Sequence, residues 1–203
     1  MIIIVDYGMG NLGSIVNMFK KIGAKAKVSS DLEEINNAPK LLLPGVGAFD
    51  NAMQKMNDAG MISILNNKAL KEKVPILGIC LGMQLLTHRS DEGKLAGLGW
   101  IEGQTLAFRS IVSEKTRIPH MGWNTVAKHT ESPLSTELNK DAKFYFVHSY
   151  YVKCENEKNA ILKTRYEIEF DSAIQKDNIF GAQFHPEKSH KYGMKLFENF
   201  NKL

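Results

Sequence analysis

Cysteine is scarce in this chain: there are two in 203 residues, Cys80 and Cys154. Their separation fits no metal-ligand spacing, and two are too few for a disulfide framework, so a reducing, cytoplasmic setting is expected. No apolar run approaches the roughly 20 residues of a membrane-spanning helix. No Lys/Arg run exceeds two residues, and a net charge of +4 is a weak electrostatic basis for holding nucleic acid. The N-terminus, Met1-Ile2-Ile3-Ile4-Val5-Asp6, has no basic segment ahead of its apolar one and reads as a first strand rather than a secretion signal. Internal repeats, low-complexity tracts and linkers are missing too. What is present, 43% hydrophobic and 24% charged residues, suits a single domain over residues 1–203 with a continuous core.

The first ninety residues alternate strand and helix. Ile2 to Val5 is a short apolar strand, and Asn11 to Ile22 carries Leu12, Ile15, Val16, Phe19 and Ile22 at helical spacing, closed by Gly23. Ala26 to Val28 and Leu41 to Leu43 read as the next strands, the latter ended by Pro44-Gly45-Val46-Gly47. Ala52 to Leu65 and Lys68 to Glu72 read as helical, and Val74 to Ile79 as another strand. Beyond Trp100 the runs become short and β-like: 105–108, 143–147, 150–152, 160–164, 170–175 and 179–184, with a hairpin turn at Lys176-Asp177-Asn178. A final helix after Ser189 buries Met194, Leu196, Phe197 and Phe200, and residues 130–133 form the most exposed loop. The fold class is therefore α/β: a mostly parallel central sheet with helices on both faces, an antiparallel extension from the second half, and a site at the carboxyl ends of the strands.

Chemistry concentrates at Gly78-Ile79-Cys80-Leu81-Gly82. A strand ends at Cys80 and a helix starts at once, with a glycine two residues away on each side. This is the nucleophile-elbow pattern with sulfur in place of a serine oxygen. A thiol at a helix N-terminus ionises more readily, so Cys80 reads as a nucleophile. Gln183-Phe184-His185-Pro186-Glu187 supplies a base at another strand end: His185 accepts the thiol proton, and Glu187 fixes its tautomer. The backbone N–H of Leu81 serves as one oxyanion donor, and the two-glycine loop 44–47 is the candidate source of the second. An isolated strand-end histidine or a buried structural cysteine would be the ordinary reading of each residue alone; Cys154, which lacks any such context, keeps it. Gly8-Met9-Gly10-Asn11-Leu12-Gly13 matches the dinucleotide-binding pattern, yet Asp31, at the place of a ribose acid, opens a helix and reads as its N-cap. A peptidase, a dinucleotide-binding module and a catalytically idle scaffold stand as competing classes. No metal and no cofactor are expected.

Gly-Ile-Cys-Leu-Gly-Met-Gln at 78–84, Pro-Gly-Val-Gly at 44–47 and Phe-His-Pro-Glu at 184–187 together resemble the class I, triad-type glutamine amidotransferases. The blocks at 6–11, 119–124, 144–150 and 185–189 are similar to those of the glutaminase subunits of imidazole glycerol phosphate synthases, over nearly the whole chain. The resemblance implies a flavodoxin-like fold and hydrolysis of L-glutamine to glutamate and ammonia. It implies that ammonia is passed to a (β/α)8-barrel synthase of histidine biosynthesis. Cys80, His185 and Glu187 match the triad, Val46 and Leu81 the oxyanion donors, and Gly47, Gln84, Glu92, Ser149 and Tyr150 the glutamine-binding positions. Tyr145, Lys188, Met121, Trp123 and Asn124 match the partner face and ammonia path. Gly13 and the segments 17–25 and 97–101 look instead like relatives that feed an N-acetyl sugar amidotransferase of surface polysaccharide or glycan synthesis, an alternative with the same glutaminase chemistry.

Overall fold

Four consecutive apolar residues with no polar alternation make a strand that must be covered on both faces. Ile2–Val5 (β1) is such a strand, and all four side chains are buried, Ile2 and Ile4 in one core and Ile3 and Val5 in the other. The computed structural model describes residues 1–203. After β1 come Leu12–Lys21 (α1), Ala26–Ser29 (β2), Leu32–Asn36 (α2), Lys40–Leu43 (β3), Phe49–Asp58 (α3), Met61–Asn66 (α4), Ile76–Ile79 (β4) and Leu81–Leu85 (α5). Asp31 caps α2, its Oδ1 accepting the Glu34 N–H at 2.8 Å. The single helix read over 52–65 is in fact two: Gly60 takes φ +68°, a left-handed turn that stops α3 and restarts the chain as α4.

The second half contributes Arg89–Ser90 (β5), Gly103–Ala107 (β6), His120–Thr125 (β7), Ala127–Lys128 (β8), Lys143–His148 (β9), Tyr150–Cys154 (β10), Ala160–Tyr166 (β11), Ile168–Lys176 (β12), Ile179–Ala182 (β13) and His190–Lys202 (α6). Strand β7 has no counterpart in the sequence reading, because His-Met-Gly-Trp-Asn-Thr has a glycine at its centre and little β-branching. The 130s loop is also less free than its composition suggests: Ser132 is buried and donates from Oγ to Gln175 Oε1 at 2.6 Å. In α6, Leu196, Phe197 and Phe200 are buried, while Met194 is only half-buried.

The main sheet runs β2-β1-β3-β4-β13-β12-β10-β6-β5, with β11 pairing β12 and β8. Its first five strands are parallel, and the extension through β12, β10 and β6 is antiparallel. The hairpin at Asp177-Asn178 returns the chain from β12 into β13, which lies parallel to β4 with Gly181 opposite Gly78. The ends of β4 and β13 are thus neighbours, although their residues are far apart in sequence. A separate antiparallel pair, β7 with β9, stands beside them.

The turn from β4 into α5 requires close backbone approach. A Cβ on Gly82 would sit 1.9 Å from the Leu43 carbonyl oxygen, an atom fixed in β3. Gly13, in contrast, has nothing within 4 Å of an added Cβ. That openness also removes the third glycine of the dinucleotide pattern, whose purpose is tight helix–strand packing. Gly82→Ala is expected to cost more than about 3 kcal/mol or abolish folding, while Gly13→Ala is expected to stabilise by up to about 1 kcal/mol; urea unfolding measures both.

Candidate active site

Cys80 occupies the strained corner between β4 and α5, with φ +54° and ψ −110°. A non-glycine residue in this region is costly and persists only where its surroundings hold it. Here the holding contacts are the Cys80 N–H, which donates to the Ala182 carbonyl of β13 at 2.7 Å, and the Cys80 carbonyl, which accepts from the Met83 and Gln84 N–H groups. The sulfur lies 3.8 Å from Gln183 Nε2 and 4.0 Å from the Val147 carbonyl.

His185 lies three residues beyond the end of β13, as Cys80 lies directly beyond the end of β4. Its Nδ1 lies 2.7 Å from Glu187 Oε1, with both side chains nearly fully buried, at 3% and 2% exposure. A carboxylate only accepts, so Nδ1 carries a hydrogen and Nε2 is left free of Glu187. Nε2 is buried without a hydrogen-bond partner; the Cys80 sulfur is close enough to influence it without a well-formed hydrogen bond. Burial alone would depress the imidazole. Interactions with Cys80 and Glu187 outweigh it and raise its pKa to about 10. The loop is anchored from β9: the His185 N–H donates to the Tyr145 carbonyl at 2.9 Å, the Tyr145 N–H donates to Ser189 Oγ at 3.0 Å, and Ser189 Oγ donates to the His185 carbonyl at 2.6 Å.

Cys80 and His185 open onto one pocket of about 420 Å³, a volume suited to a small polar substrate. Val46, Gly47 and Leu81 line it beside the cysteine, and Gly47 takes φ +110°, a conformation that a side chain would resist. Tyr7 O–H donates to the Pro44 carbonyl under this loop, and burial pushes its phenol up. Gln84 is buried and donates from Nε2 to the Tyr150 carbonyl and to Gln183 Oε1, each at 3.2 Å. Glu92 accepts the Phe49 N–H at the start of α3 at 2.8 Å, and partial burial raises its carboxyl above the usual range. Ser149 and Tyr150 complete the wall. Every triad, oxyanion and glutamine-binding position read from the sequence borders this pocket, except Glu187, which lies behind His185.

The partner-face residues divide. Met121 and Trp123, at 61% and 48% exposure, project from β7. Trp123 meets Tyr145 edge-on, and Lys188 Nζ lies 5.6 Å from the Tyr145 ring centroid, so these four share one surface. Asn124 is turned the other way by strand alternation: its Nδ2 donates inward to His120 Nε2 at 3.2 Å and to the Arg165 carbonyl at 3.1 Å. It is half-buried, on the opposite side of β7 from Met121 and Trp123. Sequence reading also missed Gln183, His148 and Tyr7, each buried against the site. His148 adjoins Ser149 and Tyr150, and that adjacency was the one available signal. Cys154 is buried and free, and burial together with Asp171 pushes its thiol up. No set of three or more Cys, His or carboxylate side chains converges as metal ligands, and no helix is long and apolar enough to cross a membrane.

Comparison with known proteins gives this arrangement a family. The class-I glutamine amidotransferase family model matches residues 3–203, and the chain belongs to that family. Its relatives include "Imidazole glycerol phosphate synthase subunit HisH 2" of Methanococcus maripaludis, 57% identical over 100% of this chain and 99% of the relative. The protein of the same name from Pseudomonas aeruginosa is 46% identical over the full length of both chains. Subunit HisH of Bdellovibrio bacteriovorus, also full-length, is 46% identical. The fold is shared with a crystal structure of a glutamine amidotransferase (TM-score 0.76, 15% identity, 98% of this chain and 97% of that one). It is shared too with the PurLQS structure from Thermotoga maritima (TM-score 0.73, 17% identity, 98% and 96%).

The raised His185 has a consequence for stability. Because its folded pKa of about 10 exceeds the ordinary 6.5, its contribution is complete below about pH 6.5 and is lost as pH climbs toward 10. Glu187→Gln removes one of the groups that raise it, so the fall in unfolding free energy between pH 7 and 10 is expected to be shallower in that variant. Denaturant titrations at stepped pH measure the two slopes.

Proposed function

We propose that residues 1–203 form one amidotransferase domain that hydrolyses L-glutamine through Cys80, His185 and Glu187 and delivers ammonia to a (β/α)8-barrel synthase making imidazole glycerol phosphate. The observation that carries this reading is the buried imidazole, bonded on one side to Glu187 and adjoining the Cys80 sulfur on the other, at the ends of two adjacent parallel strands. His185 Nε2 holds the proton given up by the Cys80 thiol before the attack, and Sγ then attacks the side-chain amide carbon of glutamine. The resulting oxyanion is held by N–H groups of Leu81 and of the 46–47 loop. The proton then passes from Nε2 to the amide nitrogen, the C–N bond breaks and ammonia leaves, giving a glutamyl thioester. Water, deprotonated by the same Nε2, attacks the thioester; glutamate departs and the thiol is restored.

Glu92, placed at the pocket rim with its carboxylate toward the start of α3, pairs with the substrate ammonium, and Gln84, Gly47, Ser149 and Tyr150 hold the rest of the amino acid. The Met121, Trp123, Tyr145 and Lys188 surface receives the synthase, an exposed aromatic and methionine patch being apt for docking. The relatives named above carry the imidazole glycerol phosphate synthase name, which favours that partner over a sugar amidotransferase. A thiol nucleophile fits a reducing cytoplasm.

Cys80→Ser is expected to lower glutamine-dependent turnover by at least about 10³-fold while the co-purified synthase still uses free ammonia; persistent glutamine turnover would refute the triad. The mass of that co-purified partner decides between a barrel synthase and a sugar amidotransferase. Glu92→Gln keeps an acceptor for the Phe49 N–H but loses the charge, so KM for glutamine is expected to rise about 10- to 100-fold with kcat little changed. Glu92→Ala loses both, and kcat is expected to fall as well, because Phe49 follows the oxyanion loop almost directly. Steady-state kinetics on the two variants separate these effects.

A further inference from the structure

His120 and His148 face each other across the β7–β9 pair, and the catalytic steps above use neither. Both are buried, at 2% and 5% exposure. His148 Nδ1 lies 2.7 Å from the Tyr150 carbonyl, which can only accept, so Nδ1 carries the hydrogen and Nε2 accepts. That Nε2 lies 2.9 Å from His120 Nδ1, which must therefore be the donor. His120 Nε2 is then an acceptor, and Asn124 Nδ2 donates to it at 3.2 Å. The Asn124 amide is oriented in turn, because its Oδ1 accepts the Thr125 N–H at 2.8 Å. One arrangement of hydrogens satisfies every link, and the chain runs in one direction from Asn124 to Tyr150. Burial pulls His120 down to about 4 and His148 to about 3, so both rings stay neutral near pH 7 and the direction is preserved.

The two ends of this chain are the telling part. Tyr150 lines the pocket, and its carbonyl takes one hydrogen bond from His148 and a second from Gln84, so the position of that peptide follows its two donors. Asn124 sits on the strand whose opposite face presents Met121 and Trp123 to solvent. Strand β9 carries both the Tyr145 carbonyl that anchors His185 and His148.

We propose that Asn124, His120 and His148 form a directional hydrogen-bond relay that transmits the position of the outer face of β7 to the Tyr150 peptide, making all three positioning residues for glutamine and for its dependence on a docked partner. The relay rests on the glutaminase reading above for its function but not for its wiring. Nothing in it reacts. It sets where the pocket wall stands, and a partner pressing on Met121 and Trp123 shifts that wall through three bonds.

Long-range 15N–1H NMR on the full-length chain reads the ring hydrogens directly. Both histidines are expected as the Nδ1–H tautomer; either one found as Nε2–H overturns the wiring. Function is read with His120→Phe, which keeps an aromatic ring between Phe146 and Tyr166, whose centroids lie 4.7 and 4.1 Å away, but removes both nitrogens. In the co-purified complex, KM for glutamine is expected to rise at least about fivefold, with ammonia-dependent synthesis unchanged. His120→Asn, whose amide N–H replaces the Nδ1–H, is expected to recover most of that loss. An unchanged KM in His120→Phe, or no recovery in His120→Asn, overturns the relay. Wild-type protein inert toward glutamine would overturn the glutaminase reading instead, and the tautomers would still decide the wiring.

Discussion

The parallel pairing of β13 with β4 is the constraint on which the site depends. It places a chain segment from the carboxyl-terminal third beside the strand that ends at Cys80, and the 2.7 Å bond from the Cys80 N–H to the Ala182 carbonyl continues that pairing into the turn. Without it the nucleophile would have no base, since the nearest histidine in sequence, His88, is half-exposed beyond α5, facing Glu155 and outside the pocket. Small residues make the pairing compatible with the elbow: Gly78 and Gly181 face each other across the two strands, and Met83 of α5 packs where a side chain on Gly181 would stand.

Electrostatics then follow from burial. A carboxylate and an imidazole almost fully removed from water are expensive to bury separately and much less so when bonded to each other. Glu187 answers the His185 Nδ1–H, which leaves Nε2 to hold or give up a proton on the sulfur's side. The histidine pair on β7 and β9 shows the opposite solution in the same neighbourhood: two rings held neutral by burial and satisfied by each other and by amide groups. One cluster is arranged to move a proton, and the other to keep its protons in place.

Sequence reading picked out the residues that share the pocket because their signals are local. Gly-x-Cys-x-Gly marks an elbow, and His-Pro-Glu sets a base and its orienting carboxylate two residues apart on a rigid turn. The parallel strands were legible for a similar reason, as short apolar runs bounded by glycine and proline. What escaped depends on long-range packing. The side to which Asn124 turns is not written locally, because the face to which a residue of β7 points is set by pairing with β9, and the strand itself carries little β propensity. Gln183 and His148 look like ordinary strand-end polar residues until the fold brings them against Cys80 and Tyr150. The break at Gly60 was hidden because apolar spacing continues across it.

Cys154 has a practical bearing on how the molecule can be handled. It is sealed at 2% exposure with its thiol held protonated by burial and by Asp171, whereas Cys80 opens onto the pocket. The native chain therefore offers a single addressable sulfur. An alkylating probe or fluorophore will count functional pockets in a preparation, molecule by molecule, without any engineered removal of a competing thiol.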